Sequence, residues 1–362
     1  MKILKLLCTT SAVALLSASI SLAQAAVAVN VQIPNGTDDT THLQTALNNS
    51  AIQPVQLALD PAHPNRRFNC TRTLSIPAHG TLLAIQTSDA GGDIPPLALN
   101  CTVLLAGDHA TADHVAVVGA HGNGFQIDNN ANYVVCRECI AVNNGNDGFY
   151  ANANGSQLLN PHIYGGRFFN NANRGIELVN GVSDIVIDQN TNVGTNCRST
   201  GCDGDVFLWS VNGQVNSMRI EWSWVSGIYV TEASEITFDN DYFDRTGSQC
   251  MRIEASAVVI TGGSCAGYGR AGTPQYSGPG LLIQQDQFGH PSYVHESGMQ
   301  IAQWGPAASY VGTGQCFSYP CFTAVMEFDG NGVQPTPYGV YADQATHDLI
   351  SQYVIAPPAL PQ

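Results

Sequence analysis

The stretch Gly148-Phe149-Tyr150-Ala151 is one copy of a short pattern that recurs through the middle of this chain. In each copy a small or polar residue precedes an apolar residue, any residue and a second apolar residue. The other copies are Gly124-Phe125-Gln126-Ile127, Gly175-Ile176-Glu177-Leu178, Asp205-Val206-Phe207-Leu208, Gly227-Ile228-Tyr229-Val230, Cys250-Met251-Arg252-Ile253 and Gly280-Leu281-Leu282-Ile283. Their spacing of 22 to 30 residues is typical of stacked repeats, and the two-residue alternation is typical of strands. The pattern therefore predicts a parallel β-helix.

A second family of strands is predicted upstream of these copies. Its members are Val134-Val135-Cys136, His162-Ile163-Tyr164, Val186-Ile187-Asp188, Arg219-Ile220-Glu221, Thr237-Phe238-Asp239 and Val259-Ile260-Thr261. Asn-rich and Gly-rich runs between the strands mark bends, because these residues tolerate left-handed backbone angles. We predict an all-β fold, a single-stranded right-handed parallel β-helix with its core at 116–287. Residues 26–115 would form an N-terminal cap and the first coils, and residues 288–362 a C-terminal cap or tail.

The segment from Gly36 to Leu47 predicts a short helix that covers the first coil. Thr37 or Asp38 can cap this helix, and Leu43, Ala46 and Leu47 fall on one face. The run Thr37-Asp38-Asp39-Thr40 followed by Leu43-Gln44-Thr45-Ala46-Leu47 resembles the opening of the pectate-lyase-like superfamily of parallel β-helix proteins. The resemblance implies this fold with an N-terminal capping helix. It leaves the reaction open, because that superfamily includes lyases, glycoside hydrolases, epimerases, tailspikes and adhesins.

Residues 1–25 have the features of a signal peptide. Lys2 and Lys5 lie at the start of an apolar run from Ile3 to Leu22, and Ala23-Gln24-Ala25 is a small-x-small cleavage pattern. We expect cleavage near Ala25 and a secreted or periplasmic protein, with a retained anchor as the alternative. Cleavage leaves 11 arginines against 28 acidic residues, a formal charge of about −17. This charge disfavours nucleic acid and anionic membranes as partners and leaves the oligomeric state open.

The remaining ten cysteines fall into five sequence-local pairs. These are Cys70 and Cys101, Cys136 and Cys139, Cys197 and Cys202, Cys250 and Cys265, and Cys316 and Cys321. In an oxidising compartment an even, paired set predicts disulfides. A zinc site or a redox motif at Cys136-Arg137-Glu138-Cys139 is the alternative.

Stacking the copies of the pattern predicts columns of outward side chains, since neighbouring strands lie about 4.8 Å apart and alternate residues face outward. The first column is Gln126, Tyr150, Glu177, Phe207, Tyr229, Arg252 and Leu282, and the second is Asp128, Asn152, Val179, Trp209, Thr231, Glu254 and Gln284. The bends before these strands place His121, Asp147, Arg174, Asp203 and Asp205 beside them. An elongated face with acids, arginines and aromatic rings suits sugar units, unless a loop or tail covers it.

Hydrolysis of a glycosidic bond requires two carboxyl groups at a defined separation. The predicted catalytic set is Asp147, Glu177, Asp203 and Asp205, and the predicted substrate-binding set is Tyr150, Arg174, Trp209, Tyr229, Arg252 and Glu254. Glu177 with Asp205 would give a close pair, whereas Asp147 with Asp205 would give a wide one, so retaining and inverting mechanisms both stay open. His121 is a weaker candidate for an acid or base.

The same face resembles polygalacturonases, the family 28 glycoside hydrolases, in two short motifs. Gly145-Asn146-Asp147-Gly148 is similar to their Asn-Thr-Asp-Gly, and Arg252-Ile253-Glu254 is similar to their Arg-Ile-Lys with glutamate in place of lysine. The resemblance implies a catalytic role for Asp147 and a substrate-binding role for Arg252.

A second acidic column is predicted from Asp188, Glu221 and Asp239, with Asp241 two residues after Asp239. Stacked acids repel one another unless a cation lies among them, so they indicate either a Ca²⁺ site or a solvated acidic face.

The sequence is consistent with three functions. The first is an exported glycoside hydrolase that acts on an extended plant or microbial polysaccharide and needs no cofactor. The second is a Ca²⁺-assisted polysaccharide lyase with an arginine base, and the third is a non-catalytic glycan-binding rod.

Overall fold

The computed structural model describes residues 28–84, 95, 97–156, 158–266, 280–284, 286–288, 290, 292–302, 324–327 and 340–342. The predicted signal peptide, Cys316 and Cys321 lie outside these residues. The elements up to residue 152 are β1 (Asn30–Gln32), α1 (Thr40–Leu47), β2 (Val55–Leu57), β3 (Leu74–Ile76), β4 (Thr81–Ala84), β5 (Val103–Leu105), β6 (Thr111–Asp113), β7 (Ala116–Val118), β8 (Phe125–Ile127), β9 (Val135–Arg137), β10 (Ile140–Val142) and β11 (Phe149–Asn152). The next are β12 (Leu158–Leu159), β13 (His162–Tyr164), β14 (Arg167–Phe169), β15 (Ile176–Val179), β16 (Val182–Ser183), β17 (Ile185–Asp188), β18 (Asn192–Gly194), β19 (Gly204–Trp209), β20 (Asn212–Asn216) and β21 (Arg219–Glu221). The last are β22 (Ser226–Thr231), β23 (Glu235–Asp239), β24 (Tyr242–Asp244), β25 (Met251–Glu254), β26 (Ala257–Thr261), β27 (Ser264–Ala266), β28 (Leu281–Gln284), β29 (Tyr293–Ala302), β30 (Ala324–Glu327) and β31 (Val340–Ala342).

Most of these strands stack into three long parallel sheets, and from β6 to β28 each coil contributes one strand to each sheet, while β12 and β16 form a separate two-stranded sheet. Sheet A contains β1, β2, β4, β6, β9, β13, β17, β20, β23, β26 and β29; sheet B contains β7, β10, β14, β18, β21, β24 and β27; sheet C contains β3, β5, β8, β11, β15, β19, β22, β25, β28 and β31. Strand β29 pairs with both β26 and β27 and joins sheets A and B into one hydrogen-bonded network, while β30 adds to it in antiparallel fashion. The predicted parallel β-helix is therefore confirmed.

Each coil contains one more strand than the sequence pattern predicted. The upstream family was expected to form one sheet, but Arg219-Ile220-Glu221 is β21 of sheet B, whereas Val186-Ile187-Asp188 and Thr237-Phe238-Asp239 belong to sheet A. Sheet B strands mostly have three residues and are separated from sheet A strands by only a few turn residues. A short strand with a single inward residue carries too little alternation to be recognised separately.

The interior of the coils is a continuous apolar core. The residues that flank each outward position of sheet C, such as Phe149, Ala151, Ile176 and Leu178, are almost completely buried. Phe149 also packs edge-on against Phe168 of sheet B, with ring centroids 6.3 Å apart. Burial on this scale follows from the two-residue period, which turns one side of every strand toward the core.

A ladder of buried asparagines fixes the corner between sheets B and C. Asn171 Nδ2 donates to Asn196 Oδ1 at 2.9 Å, and Asn144 Nδ2 donates to Asn171 Oδ1 at 2.9 Å. Asn144 Oδ1 in turn accepts the backbone N–H of Ala120 at 2.9 Å. Because each amide satisfies buried polar groups of the coils beside it, the corners keep the same shape through several coils. This constant corner positions the residues that precede sheet C.

The helix α1 covers the first coil, as predicted, but it begins later than expected. The N-cap residue, which directly precedes the helix, is Asp39 rather than Thr37 or Asp38. The buried Asp39 carboxylate instead accepts the backbone N–H groups of Asn35 and Asn69, each at 2.8 Å. The acidic run therefore ties the cap to the neighbouring coil. No helix among the described residues has the length and apolar character to cross a membrane.

Three of the predicted disulfides are present, and one predicted pair is not bonded. Cys136 is bonded to Cys139, Cys197 to Cys202 and Cys250 to Cys265, which fits an oxidising compartment. Cys70 and Cys101 are buried free thiols. A hydrogen bond with the Cys70 thiol, together with burial, raises the pKa of Cys101. This pair is therefore a close thiol contact rather than a cross-link.

Candidate functional site

The first outward column on sheet C has the predicted register. Tyr150 lies opposite Gln126 on one side and Glu177 on the other, and the pairing continues through Phe207, Tyr229, Arg252 and Leu282. The residues of this column project away from the core because their neighbours along each strand point inward. The column therefore forms the floor of an outer face along sheet C.

Asp147 lies at the corner that leads into this face and is held by three donors. Its Oδ1 accepts Asn173 Nδ2 at 2.7 Å and the backbone N–H of Arg174 at 2.9 Å. Its Oδ2 accepts Asn146 Nδ2 at 3.1 Å, and its own backbone N–H donates to Asn123 Oδ1 at 3.1 Å. Asp147 is 1% exposed, so its position is fixed by the protein rather than by solvent.

Glu177 shares one of these donors. Asn173 Nδ2 lies 2.7 Å from Asp147 Oδ1 and 3.2 Å from Glu177 Oε2, so the two oxygens are at most about 5.9 Å apart, the sum of these distances. Arg174 Nη1 also donates to Glu177 Oε2 at 2.5 Å, and both side chains keep some contact with solvent, 13% for Arg174 and 14% for Glu177. We call Asn146, Asp147, Asn173, Arg174 and Glu177 the acid cluster.

The two carboxyl groups of the acid cluster are electrostatically distinct. Burial and the negative charge of Glu177 raise the pKa of Asp147 to about 7, against the opposing effects of its hydrogen-bond donors and the Arg174 charge. Glu177 is more exposed and lies directly on the Arg174 guanidinium. Near neutral pH Asp147 can therefore hold a proton, as a general acid must.

The aromatic residues above the acid cluster are stacked against arginines and against one another. The Arg174 guanidinium lies 4.0 Å from the Phe207 ring centroid, and Phe207 lies 5.3 Å from the Tyr229 ring. Arg252 covers Tyr229 at 4.4 Å. The faces of Phe207 and Tyr229 are therefore largely occupied, and of the predicted aromatic sugar-binding residues Trp209, at 37%, and the partly buried Tyr150 are the more exposed.

Arg252 and Glu254 form a second polar group farther along the face. Arg252 Nε donates to Glu254 Oε1 at 2.9 Å, and the hydroxyl of Tyr229 donates to Glu254 Oε2. Burial, and next this bond to Glu254, raise the pKa of Tyr229. Arg252 and Arg174 were both predicted to bind substrate, yet each is already paired with a carboxylate of its own coil.

The prediction that Asp205 lies on the outer face is wrong. Asp205 occupies the glycine position of the repeated pattern, and at the equivalent positions a Cβ on Gly148 or Gly175 would lie 2.7 Å from the ladder amides of Asn171 and Asn196. Its side chain accordingly points inward and is fully buried. Burial raises the pKa of Asp205 to about 8, although Ser223 and the backbone of Asn196 act in the opposite direction. Both proposed pairs that used Asp205 are thereby removed.

Two other predicted residues lie away from the acid cluster. Asp203 is exposed in the segment between Cys202 and β19, and His121 is exposed in the corner one coil before Asp147. Within the described part of the chain no hydrogen bond or ion pair connects either side chain with Asp147 or Glu177. The carboxyl pair that remains is Asp147 with Glu177.

The predicted acidic column does not form. Glu221 belongs to sheet B, where it lies opposite Asp244 and pairs with Arg219, whereas Asp188 and Asp239 end strands of sheet A with β20 between them. Asp241 points toward the interior, where burial raises its pKa and Met218 N–H donates to it at 2.7 Å. Among the described residues no group of three or more His, Cys, Asp or Glu side chains is arranged to hold a metal ion. Glu221 is therefore separated from the other three predicted residues, of which Asp188 and Asp239 both act electrostatically on Asp241.

The sequence patterns missed the asparagines that organise the acid cluster. Asn146 and Asn173 occupy the same corner position in successive coils, two residues after the ladder residues Asn144 and Asn171. The signal was present in the repeated Asn runs, which indicated bends. Their second role is to donate hydrogen bonds to carboxylates. That role depends on the directions of the side chains, which a sequence pattern typical of bends does not specify.

Comparisons with known proteins add little to this description. No protein-family model matches the chain, and no curated protein matches it. Among solved structures the chain is similar to the A-module of the mannuronan C-5 epimerase AlgE4 of Azotobacter vinelandii, with 14% sequence identity over 77% of this chain and 96% of that module and a TM-score of 0.37. A similarity this weak transfers no residue role.

Proposed function

We propose that this protein is an exported glycoside hydrolase that acts on an extended plant or microbial polysaccharide. The observation that supports the proposal best is the sharing of Asn173 by Asp147 and Glu177, which keeps two carboxyl groups close together. Retaining glycosidases place their carboxyl groups about 5–5.5 Å apart, whereas inverting enzymes leave about 6.5–9.5 Å for a water molecule. The shared donor favours the retaining arrangement.

In this mechanism the two carboxyl groups act in sequence. Protonated Asp147 donates its proton to the glycosidic oxygen, while the Glu177 carboxylate attacks the anomeric carbon and the bond to the leaving sugar breaks. Asp147, now ionised, takes a proton from water, and the resulting hydroxide displaces Glu177 from the glycosyl-enzyme. Asn173 and Arg174 hold Glu177 through both steps.

The charge arrangement favours a neutral polysaccharide over a uronic acid polymer. Arg174 and Arg252 are each engaged by a carboxylate and an aromatic ring. A substrate carboxylate would have to compete with these internal acids in a chain with a large excess of negative charge. A neutral sugar needs only hydroxyl contacts and incurs no such repulsion.

A non-catalytic glycan-binding rod is the second candidate. It is favoured by the burial of Asp147, which is 1% exposed, and by the occupied faces of Phe207 and Tyr229. In such a protein the acid cluster would only stabilise the corner. Catalysis by Asp147 requires a substrate oxygen to approach it from the side of Glu177, the more accessible of the two carboxyl groups.

One set of incubations separates the candidates. The purified protein is incubated with neutral and uronic polysaccharides, and new reducing ends and the ultraviolet absorbance of unsaturated products are followed. Hydrolysis predicts reducing ends without that absorbance, and Asp147→Asn should reduce turnover about 10²- to 10⁴-fold. The nucleophile is tested with Glu177→Ala in azide, which should yield a glycosyl azide. Glu235→Gln, on exposed sheet A surface, is the control.

The outcomes differ clearly. Elimination products would contradict the hydrolase proposal. Full activity in the Asp147→Asn variant would remove the acid cluster from catalysis. Binding of a polysaccharide without any product would support the glycan-binding rod.

A further inference from the structure

A second candidate contact surface lies at the corner between sheets B and C, beyond the acid cluster. In each coil this corner begins with a residue in the left-handed region, followed by a buried residue and then a residue at the tip. The tip residues in successive coils are His121, Gly145, Ala172, Cys197, Trp224 and Gly247. His121 and Trp224 are the two large side chains among these tips, and only Trp224 presents an indole ring.

The corner exposes two indole rings in that coil. Trp224 is 46% exposed and Trp222, the first corner residue, is 39% exposed, while Ser223 between them is buried in the ladder position. In the next coil a Cβ on Gly247 would collide with the carbonyl oxygen of Trp224. Glycine is therefore required there, and that coil provides no side chain at the tip to cover Trp224.

The charges beside the two indoles are compensated. The Arg245 guanidinium lies 4.2 Å from the Trp222 ring centroid, and its Nη1 is 3.5 Å from Asp244 Oδ2. This arginine orients Trp222 and is neutralised by its own neighbour. An exposed aromatic pair without a free charge suits the apolar C–H face of a neutral pyranose ring better than an anionic group.

The two indoles are aligned with the acid cluster along the same corner. The corner of Trp222 and Trp224 comes three coils after the corner of Asp147, which corresponds to about 14 Å along the stack at about 4.8 Å per strand. That distance is the length of a few sugar units. A chain lying parallel to the axis of the coils can therefore touch both places at once.

We propose that Trp222 and Trp224 form a distal subsite that binds a sugar unit of the same neutral polysaccharide chain. The proposal deepens the proposed function, since the chain it names is the substrate of the acid cluster. With this subsite the protein would recognise an oligosaccharide of several sugar units rather than a single sugar. A disaccharide at the acid cluster does not reach the indoles.

The test measures binding as a function of ligand length. Cello-, manno- and xylo-oligosaccharides from disaccharide to hexasaccharide, with oligogalacturonates for comparison, are titrated by calorimetry into the full chain and into Trp222→Ala and Trp224→Ala. Tyr133→Ala is the matched control, since Tyr133 is an equally exposed ring, 44%, at the corner between sheets C and A. Circular dichroism checks that the variants fold.

The proposal expects one neutral series to bind more tightly as the chain lengthens. Trp224→Ala should weaken the longer members roughly three- to tenfold and leave the disaccharide unchanged, with Tyr133→Ala binding like the unaltered chain. Equal affinity of Trp224→Ala at every length, binding confined to oligogalacturonates, or no binding of any series would overturn it. Product formation is assayed separately. Trp224-dependent binding without hydrolysis would refute only the hydrolase proposal, and hydrolysis with Trp224-independent binding would refute only the subsite.

Discussion

Asp147 and Glu177, on successive coils, accept hydrogen bonds from one amide nitrogen, that of Asn173. This shared donor couples the two carboxyl groups, because the charge of Glu177 contributes to the raised pKa of Asp147. Burial supplies the larger part of that rise. The pair is consequently an electrostatic unit, and a change at Glu177 should be measurable at Asp147.

Glu177→Gln should lower the pKa of Asp147 below about 7, because the substitution removes a nearby negative charge that disfavours ionisation. The shift is measured by a carbon NMR titration of the aspartate carboxyl groups, with Asp147→Asn used to assign the resonance. Glu235→Gln on sheet A should leave the titration unchanged. An Asp147 resonance that titrates identically with and without the Glu177 charge would contradict the coupling.

Asp205→Asn should stabilise the protein at neutral pH. Burial raises the folded-state pKa of Asp205 to about 8, above its unfolded value of about 3.9, so the folded state holds a proton that the unfolded state releases. Stability is therefore fully present below about pH 4 and is lost as the pH rises toward 8. The substitution should raise the free energy of unfolding at pH 7 by about 2–4 kcal/mol.

This prediction is checked by urea denaturation at several pH values. The advantage of Asp205→Asn over the unaltered chain should grow from near pH 4 to pH 8. Asp203→Asn, two residues away and exposed, is the control and should show no such dependence. An advantage of the same size at both ends of the range would show that Asp205 does not carry the buried proton.

The fold was predictable from the sequence because alternation determines which side chains enter the core. Phe149 and Ala151 are inward and Tyr150 is outward, and the same alternation recurs in each copy of the pattern, so aligning the copies gave the register of sheet C. The three bonded cysteine pairs followed from their short separations. Cys70 and Cys101 lie in neighbouring coils without a bond, and sequence proximity cannot distinguish contact from bonding.

The candidate site was predictable only where the residue lay within a strand. Glu177 is a strand residue and its direction followed from the alternation. Asp205 aligned with glycines in five other copies, and a glycine has no side chain to show which way that position faces. Its inward direction became visible only from the ladder amides near Gly148 and Gly175. Glu221 was misplaced for a related reason, since a three-residue strand gave no separate signal for sheet B.

Tyr229→Phe should destabilise the protein by about 1–2 kcal/mol, because the buried Glu254 loses the hydroxyl that donates to its Oε2. The free energy of unfolding is measured by chemical denaturation. Tyr242→Phe is the matched control, since Tyr242 contacts Arg219 through its ring and its hydroxyl makes no hydrogen bond with the described residues. Equal stability of the two variants would indicate that the bond between Tyr229 and Glu254 contributes nothing.

Asn171→Ala should be more damaging, because Asn171 is the central member of the asparagine ladder. Its Oδ1 accepts the backbone N–H of Asn144 at 3.1 Å and the Asn144 amide at 2.9 Å, and its Nδ2 donates to Asn196 at 2.9 Å. Alanine leaves these buried groups without their partner, which should cost about 2–4 kcal/mol. The loss is measured by urea denaturation followed by circular dichroism, with the exposed Asn130→Ala as the control. The ladder also sets the corner that carries Asp147 and Arg174. Asn171→Ala should therefore shift the pKa of Asp147 as well. A destabilised variant in which Asp147 titrates as before would show that the acid cluster does not depend on the ladder.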